Sequence, residues 1–376
     1  MNKNFFIFLL VAAVVVLGGW IYYLNRTAAE PEPIEEINAK WWSAGHSDVT
    51  SEAFVHWNED EPREVPARCA KCHSAWGFID YLGFDGTEAM VVDEPAPVES
   101  VVSCMVCHNE ASDMLSMVKF PSGVELDIGE GNALCAACHS GTRAGGAVTT
   151  AAEGFADDEV VPEAGFVTPH YYFAAATWQG SDAHGGFEYP EKNYVGEFEH
   201  AEGVQTCTGC HDEHSLRMRN DYGTDADLCA ACHSNVTGYA DYKEITVDGV
   251  DYDGDGNVEG IYLEIEGIRE MLHEAMNQYG LQELGDAVGW ADQFPYLFID
   301  TNADGEISGD EAAFPNAYAT FTPRLMRAAY NYQFSIKDPG AYVHNGDYVL
   351  QLLYDSLEDM AEVVDVSTDN LTRPEI

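Results

Sequence analysis

Five copies of one short motif constrain this chain more than any other feature. All ten cysteines fall into five C-x-x-C pairs, and a histidine follows each pair at once. C-x-x-C-H is the attachment signature of c-type haem. The two thiols add to the two vinyl groups of the porphyrin, and the next residue offers its imidazole to the iron. The predicted thioether cysteines are Cys69, Cys72, Cys104, Cys107, Cys135, Cys138, Cys207, Cys210, Cys229 and Cys232, and the predicted proximal histidines are His73, His108, His139, His211 and His233. We therefore predict five covalent haems.

Other uses of paired cysteines fit this pattern poorly. A single C-x-x-C is also found in redox dithiols and as half of a zinc site. A zinc site would not require a histidine after all five pairs, and a disulfide framework would not space its cysteines so uniformly. Haem attachment is therefore the favoured interpretation.

The remaining histidines are numerous enough to give each iron a second imidazole. The chain has 13 histidines, of which eight lie outside the motifs. We discount His184, which lies in a polar loop, and His273, which lies in the middle of a predicted helix. The six distal candidates are His46, His56, His170, His200, His214 and His344. For His56, an exposed helix histidine is the ordinary alternative.

The haem motifs contain an internal repeat. Residues 134–140 and residues 228–234 both read LCAACHS, and the second and fourth motifs share Val-x-x-Cys-x-x-Cys-His-x-Glu. Coincidence within a constrained motif is the alternative, but haem attachment does not demand the shared Leu, Ala-Ala and Ser. We predict a duplicated di-haem unit over about 101–140 and 204–234. Within residues 45–240 we expect sparse regular structure, short helices at the motifs and a core made largely of porphyrin.

The N-terminus predicts an exported, membrane-anchored protein. Residues 5–24 carry no charge and are long enough to span a bilayer as a helix. A cleavable signal peptide is the alternative, although its apolar stretch is normally shorter. Covalent haem attachment occurs after export in bacteria and archaea, so the body should face the periplasm or the cell exterior. We assign residues 1–26 to the anchor and residues 27–44 to an acidic linker.

Two acidic loops beyond the motifs predict calcium. Residues 300–311 match every position of the twelve-residue EF-hand loop, including the glycine at position 6 and the glutamate at position 12. Residues 251–262 match the first eight positions, but the twelfth is Tyr262, for which Glu259 or Glu264 could substitute. An acidic surface turn is the alternative for residues 300–311. The calcium candidates are Asp300, Asn302, Asp304, Glu306, Ser308 and Glu311 in one loop, and Asp251, Asp253, Asp255 and Asn257 in the other.

Helical patterns surround these loops, so we group residues 241–376 into a helical calcium-binding region. Apolar residues recur at helical spacing over 261–278, and a second apolar stripe runs over 347–360. Thr322 and Pro323 read as the N-cap and first residue of another helix. If His344 ligates a haem, this region docks on the haem region.

Composition excludes several classes of partner. The chain has 17 Lys and Arg against 65 Asp and Glu, which gives a formal net charge of −48. Such a chain does not bind nucleic acid, because phosphate contacts require Lys and Arg. An anionic lipid surface is disfavoured for the same reason. The acidity predicts a cation-rich habitat or a basic redox partner.

The same residues resemble a known family. The chain resembles the multihaem c-type cytochromes over residues 41–365. The resemblance is carried by the five motifs and by three segments that read GHSDVTSEAFVHW, CHDEHSL and DPGAYVHNGDYVLQLLYDSL. The most similar cytochromes are polyhaem, membrane-associated and of the doubled C-x-x-C-H type. The resemblance implies bis-histidine haems packed edge to edge, with the His-Asn segment at His344 as a distal-ligand segment. Pentahaem nitrite reductase, in the wider group, has Lys in place of one motif histidine, and no motif here does.

The predicted fold class is mainly α with much irregular structure. It comprises a haem-cored cytochrome region, a helical calcium-binding C-terminal part and an N-terminal transmembrane helix. The predicted function is electron transfer between a redox protein donor and an acceptor, and assembly into a homo-oligomer or a haem chain between subunits is left open. The rival is a reductase of a small nitrogen or sulfur oxyanion, which needs one open iron. A calcium-dependent scaffold with structural haems is a third class.

Overall fold

The computed structural model describes residues 32–201, 204–219, 227–230, 232–246 and 249–376. The predicted membrane-spanning segment at 5–24 lies outside these residues. Within them, no helix combines the length and the apolarity needed to cross a bilayer. The transmembrane helix therefore stays a prediction.

The haem-motif region is built from short helices joined by long irregular segments. In chain order the helices are α1 Ile34–Trp42, α2 Glu52–Val55, α3 Ala67–His73, α4 Ala75–Tyr81, α5 Cys104–Cys107, α6 Glu110–Asp113, α7 Asn132–Cys138, α8 Gly146–Ala151, α9 Ala174–Gln179, α10 Cys207–Cys210 and α11 Asp227–Ala230. The first four C-x-x-C pairs each lie on one of these short helices, as predicted, and α11 contains Cys229 of the fifth pair. Short 3₁₀ helices occur at Gly45–Ser47, Gly180–Asp182, Tyr239–Glu244 and Phe314–Asn316.

Three small antiparallel sheets supplement the helices. Strand β1 Glu64–Val65 pairs with β2 Ala96–Pro97, β3 Met117–Lys119 with β4 Glu125–Asp127, and β5 Val288–Trp290 with β6 Leu297–Ile299. The sequence analysis did not predict these two-stranded sheets. Strands of two or three residues are too short to show an alternating apolar pattern.

Long helices dominate the C-terminal region: α12 Ile261–Tyr279, α13 Pro323–Lys337 and α14 Ala341–Met360. The predicted stripe of α12 is buried from Ile261 to Met276. At the start of α13, the Thr322 hydroxyl accepts a hydrogen bond from the Leu325 amide at 3.3 Å. These two helix starts agree with the prediction, and burial of the apolar stripes stabilises the helices.

Helix α14 begins earlier than expected and contains a break at Asn345. Its backbone there is extended (φ −169°, ψ 78°). The Asn345 side chain accepts from the Tyr348 amide at 3.2 Å, so it caps the continuous part of the helix. Its amide donates to Gly196 O at 3.0 Å, in the haem-motif region. One separate helical turn, which contains His344, therefore precedes the helix predicted from residue 347.

One apolar core joins the two regions. It runs from Val118 in the haem-motif region to Val364 beyond α14. Phe173 stacks on Phe334 with ring centroids 4.5 Å apart, and the Tyr330 hydroxyl donates to Gly185 O at 2.9 Å. The fold is thus mixed helical with much irregular structure, as predicted. The two regions share a hydrophobic core.

Helix α1 differs from the predicted acidic linker. The linker was assigned to residues 27–44, yet residues 34–42 are helical and pack on the haem-motif region. The Trp41 indole donates to Val102 O at 3.2 Å, and Lys40 Nζ lies 2.8 Å from Asp212 Oδ2. Glu35 and Glu36 lie in the first turn of the helix, where negative charge is favourable.

Candidate haem and calcium sites

The five motifs present their side chains in the same local way. In the first four motifs, a short helix places the two cysteines of the pair close together, and the histidine lies at or just after its end. In four of the motifs the histidine amide donates to the carbonyl of the first cysteine, for example His139 to Cys135 at 3.0 Å. The geometry that haem attachment requires is therefore set by the local backbone.

Each motif histidine faces one histidine from outside the motifs. The ring centroids are 6.0 Å apart for His46 and His139, 6.0 Å for His73 and His170, 6.2 Å for His108 and His214, 6.4 Å for His200 and His233, and 6.5 Å for His211 and His344. Five distal candidates thus pair one to one with five motif histidines. None of the pairs could be assigned from the sequence.

The spacing fits an iron between the rings. An imidazole nitrogen binds a transition metal at about 2 Å and lies about 1.1 Å from its ring centroid, so two axial imidazoles have centroids about 6 Å apart. All five measured separations lie close to that value. The residues present therefore fit a bis-histidine iron at each motif.

Hydrogen bonds orient several of the paired rings. Nδ1 of His73 lies 2.8 Å from Ala53 O, Nδ1 of His139 lies 2.7 Å from Tyr172 O, and Nδ1 of His211 lies 3.1 Å from Leu216 O. A ring that donates through Nδ1 keeps Nε2 free for a metal. His344 differs, because its Nδ1 lies 3.0 and 2.8 Å from the two carboxylate oxygens of Asp338.

Burial favours the neutral imidazoles that a metal requires. It lowers the pKa of His46 to about 4, with a smaller contribution from His139. Burial also lowers the pKa of His170 and His200. For His344 burial acts in the same direction, but the Asp338 carboxylate outweighs it and raises the pKa above its usual value.

His56 is the sixth distal candidate, and the structure does not bring it to a motif histidine. Its Nδ1 lies 2.7 Å from Glu52 Oε1, and both side chains are mostly exposed. The five motif rings each face a different histidine instead. The placement of His56 as a distal ligand is therefore corrected: the (i, i+4) spacing to Glu52 on one helix face holds it in solvent.

Helix α7, which carries the third motif, contacts three others. Cys72 Sγ lies 3.9 Å from Cys138 O. The Cys207 amide donates to Asn132 Oδ1 at 3.0 Å, and Val106 and Ala137 belong to one apolar cluster. Near the fifth motif, burial and then Cys229 raise the pKa of Cys210. The motifs therefore form one connected group with α7 at its centre.

The loop at 300–311 is ordered around its first and last residues. Asp300 is buried and accepts from the Gly305 amide at 2.8 Å. Glu311 accepts from the amides of Thr301 and Ser308 at 2.9 and 3.0 Å. The Thr301 hydroxyl and these other donors hold the pKa of Glu311 down to about 2. A strand precedes the loop and a 3₁₀ turn follows it, so it lacks the flanking helix pair of an EF-hand.

In the loop at 251–262, the acid that lies beside the other carboxylates is Glu264, not Glu259. Oxygens of Asp251, Asp253 and Glu264 lie within 4.8 Å of one another, a grouping able to hold a metal ion. Glu264 is buried and accepts from the Tyr252 amide at 2.8 Å, whereas Glu259 contributes only its backbone amide, at 3.0 Å. Burial, and then the neighbouring carboxylates, raise the pKa of Asp253 to about 6.

The two loops lie at opposite ends of α12. Glu264 is in its first turn, and near its end Asn277 Nδ2 donates to Asp300 Oδ2 at 3.0 Å. A helix rises about 1.5 Å per residue, so these two contacts are about 20 Å apart. The loops therefore do not form a compact EF-hand pair.

Sequence reasoning missed two residues at these sites. It named Glu264 only as an alternative, because the loop template places the acid at position 12 rather than position 14. It did not name Asp338, although Asp338 begins the quoted DPGAYVHN segment and lies six residues before His344. A carboxylate just ahead of a candidate ligand histidine is the signal that could have found it.

Known proteins of similar sequence are polyhaem cytochromes. The chain is 24% identical to the C-type polyheme cytochrome OmcC of Geobacter sulfurreducens over 372 residues, which cover 84% of this chain and 45% of the relative. It is 25% identical to the C-type polyheme cytochrome OmcB of the same organism over 374 residues, covering 83% and 46%. The chain spans about half the length of these curated relatives. No protein-family model and no solved structure matches it.

Proposed function

As this chain is a multihaem c-type cytochrome, we propose that it transfers electrons through five covalently bound bis-histidine haems. One observation carries the proposal: each of the five motif histidines faces one further histidine at 6.0–6.5 Å. The ten cysteines would hold the porphyrins, and the ten histidines would hold the irons. When bound, haem supplies a one-electron couple whose potential depends on the axial ligands.

Saturated irons favour transfer over catalysis. A reductase must leave one axial position open for its substrate. Each of the five histidine pairs would fill both positions of its iron, and no motif carries Lys in place of His. Contacts between the motifs support a continuous conduit, because α7 touches the first, second and fourth motifs.

Spectroscopy of the intact, haem-loaded protein tests this proposal. We expect a mass equal to the chain with five haems, a wholly low-spin oxidised spectrum and no binding of carbon monoxide to the reduced protein. His170→Ala should create one high-spin haem, because the iron of the first motif loses an axial ligand. His56→Ala is the matched control and should leave every haem low-spin. A high-spin haem in the unaltered protein would instead favour the oxyanion reductase.

We propose that both acidic loops bind calcium as a structural ion. The ligands would be the predicted oxygens of 300–311 and, in the other loop, Asp251, Asp253 and Glu264. Because α12 contacts both loops and packs against α14, the ions would hold the C-terminal region on the haem-motif region. Glu311→Gln should lower the melting temperature measured in the presence of calcium. It should also reduce the fall in melting temperature that a chelator causes. Equal chelator effects in the variant and the unaltered protein would contradict this role.

We propose an exported location, with residues 5–24 as the membrane anchor and the haems on the outer side of the cytoplasmic membrane. The supporting argument is that covalent haem attachment takes place after export, outside the cytoplasm. Donor and acceptor would be redox proteins, and an acidic surface suits a basic partner. A transfer rate that falls steeply with added salt would support a basic partner, whereas stability that requires salt would support a saline habitat.

A further inference from the structure

Among the described residues, the histidine pair of the fourth motif is the one in which a carboxylate hydrogen-bonds a ring; in the second-motif pair, Glu32 Oε2 lies 3.8 Å from His214 Nδ1, beyond hydrogen-bond distance. His344 faces His211, and both carboxylate oxygens of Asp338 lie within hydrogen-bond distance of its Nδ1, at 3.0 and 2.8 Å. Asp338 is only 2% exposed. Its charge is therefore poorly screened by water.

The surrounding backbone fixes this contact. The Gly340 amide donates to Asp338 Oδ1 at 3.1 Å, and the turn brings Gly340 directly under the His344 ring. A Cβ at position 340 would lie 2.6 Å from His344 Cε1. Only glycine permits this approach, so the turn holds the ring and the carboxylate in one arrangement.

Other paired histidines with a hydrogen-bonded Nδ1 use neutral acceptors. His73, His139 and His211 each donate to a backbone carbonyl. A carboxylate draws the Nδ1 proton more strongly than a carbonyl does, which makes Nε2 a stronger donor to a metal. A buried negative charge also favours the ferric over the ferrous state, because reduction adds an electron to the same site.

We propose that Asp338 is a positioning residue that acts through His344 and gives the fourth-motif haem the lowest potential of the five. The inference rests on the proposed bis-histidine ligation. The step concerned is the one-electron reduction of ferric to ferrous iron, with the electron supplied by the electrode or by dithionite in the titration. His344 stays bound to the iron in both states, and Asp338 gains and loses no atom.

A spectroelectrochemical titration of haem-loaded Asp338→Asn tests the inference. Asparagine keeps the shape and a hydrogen-bond acceptor but removes the charge. We expect the preference for the ferric state to fall about tenfold at one haem, which for a one-electron couple raises its midpoint by about 59 mV. Asp338→Glu keeps the charge, so the midpoint potential of that haem should stay close to its value in the unaltered protein. Loss of axial ligation at that single haem would also support the role.

Glu52→Gln is the matched control. It removes a carboxylate from His56 Nδ1, at 2.7 Å, in a pair that faces no motif histidine. Its five potentials should equal those of the unaltered protein. Five unchanged potentials in Asp338→Asn would overturn the inference.

A second measurement does not depend on Asp338 variants folding. Cys207→Ala with Cys210→Ala removes the fourth-motif attachment and should abolish the lowest-potential wave. Loss of any other wave would overturn the inference. Failure of the proposed function is separate, because it would appear as a high-spin or carbon monoxide-binding haem in the unaltered protein.

Discussion

The haem-motif region and the C-terminal region are ordered by different forces. Helices α3, α5, α7 and α10, which carry motifs, have only four to seven residues, whereas α12, α13 and α14 have 15 to 20. Isolated helices as short as the former are unstable in water. The long helices bury continuous apolar stripes and stabilise one another. The comparison predicts that the short motif helices depend on contacts with porphyrin, whereas the long helices are held by the side-chain core that both regions share.

The largest expected effect comes from removing one porphyrin at the centre of the first region. Helix α7 contacts three other motifs, and Ala133, Ala136 and Ala137 on it are buried. Cys135→Ala with Cys138→Ala should therefore prevent the haem-motif region from accumulating in folded form. Limited proteolysis and haem absorbance per chain measure this loss.

The second motif supplies the control, because Cys104 and Cys107 are exposed. Cys104→Ala with Cys107→Ala should lower the haem content by one fifth and leave most of the region resistant to protease. Equal protease resistance of the two double variants would contradict a central role for α7.

In the C-terminal region, a cavity in the side-chain core should lower the stability of the protein. Leu353 is fully buried in α14. Leu353→Ala should lower the free energy of unfolding by about 2–5 kcal/mol, because it removes apolar contacts and leaves a void. Denaturant unfolding of the haem-loaded protein measures this, and the visible spectrum below the transition should stay low-spin. Leu281→Ala, at a side chain 49% exposed, should cost under about 0.5 kcal/mol. A changed visible spectrum in folded Leu353→Ala would show that packing in the C-terminal region also controls haem ligation in the haem-motif region.

Calcium should link the two regions through Glu264. An ion at 100 times its dissociation constant stabilises the folded state by about 2.7 kcal/mol. Glu264→Gln should lose most of the calcium-dependent rise in melting temperature that its loop contributes, because it removes the buried carboxylate. Glu259→Gln changes an acid five residues earlier in the same loop and should retain that rise. Similar losses in both variants would indicate that position 264 is not the closing ligand.

The smallest effect is expected at the ion pair between α1 and the fourth motif. Burial alone would raise the pKa of Asp212, but hydrogen bonds from Lys40, Ser215 and His214 hold it well below its usual range. Lys40→Gln should cost at most about 1 kcal/mol near pH 7. A carboxylate with a depressed folded pKa stabilises the protein above its unfolded pKa of about 3.9. The unfolded pKa is the same in both proteins, so the difference between them should persist at pH 4 and be lost only as the pH falls through the depressed pKa of folded Asp212.

An exposed pair provides the comparison for this small effect. Lys119 Nζ lies 3.6 Å from Glu125 Oε1, and both side chains are more than half exposed. Lys119→Gln should change the free energy of unfolding less than Lys40→Gln does at neutral pH. A Lys40→Gln effect that is already lost at pH 5, where Asp212 is ionised, would exclude the ion pair as its cause.

Much of this molecule could be predicted from local sequence. The C-x-x-C-H spacing confines thiols and imidazole to one helical turn, so the haem-binding residues follow from neighbours in the chain. The starts of α12 and α13 follow from apolar periodicity and from Thr322 as a cap. The multihaem cytochrome family followed from the same motifs, and the similar polyhaem cytochromes confirm it.

Only the tertiary structure decided which groups meet across the chain. His46 precedes the first motif yet faces the histidine of the third, and His344 comes from α14 to face that of the fourth. His56 has the same chemistry and stays in solvent. Glu264, two residues beyond the last position of the loop, lies beside Asp251 and Asp253, and Asp338 meets His344 because the Gly340 turn folds back. A spacing rule describes residues on one element, whereas these contacts depend on how separate elements pack, and packing is set by the whole core.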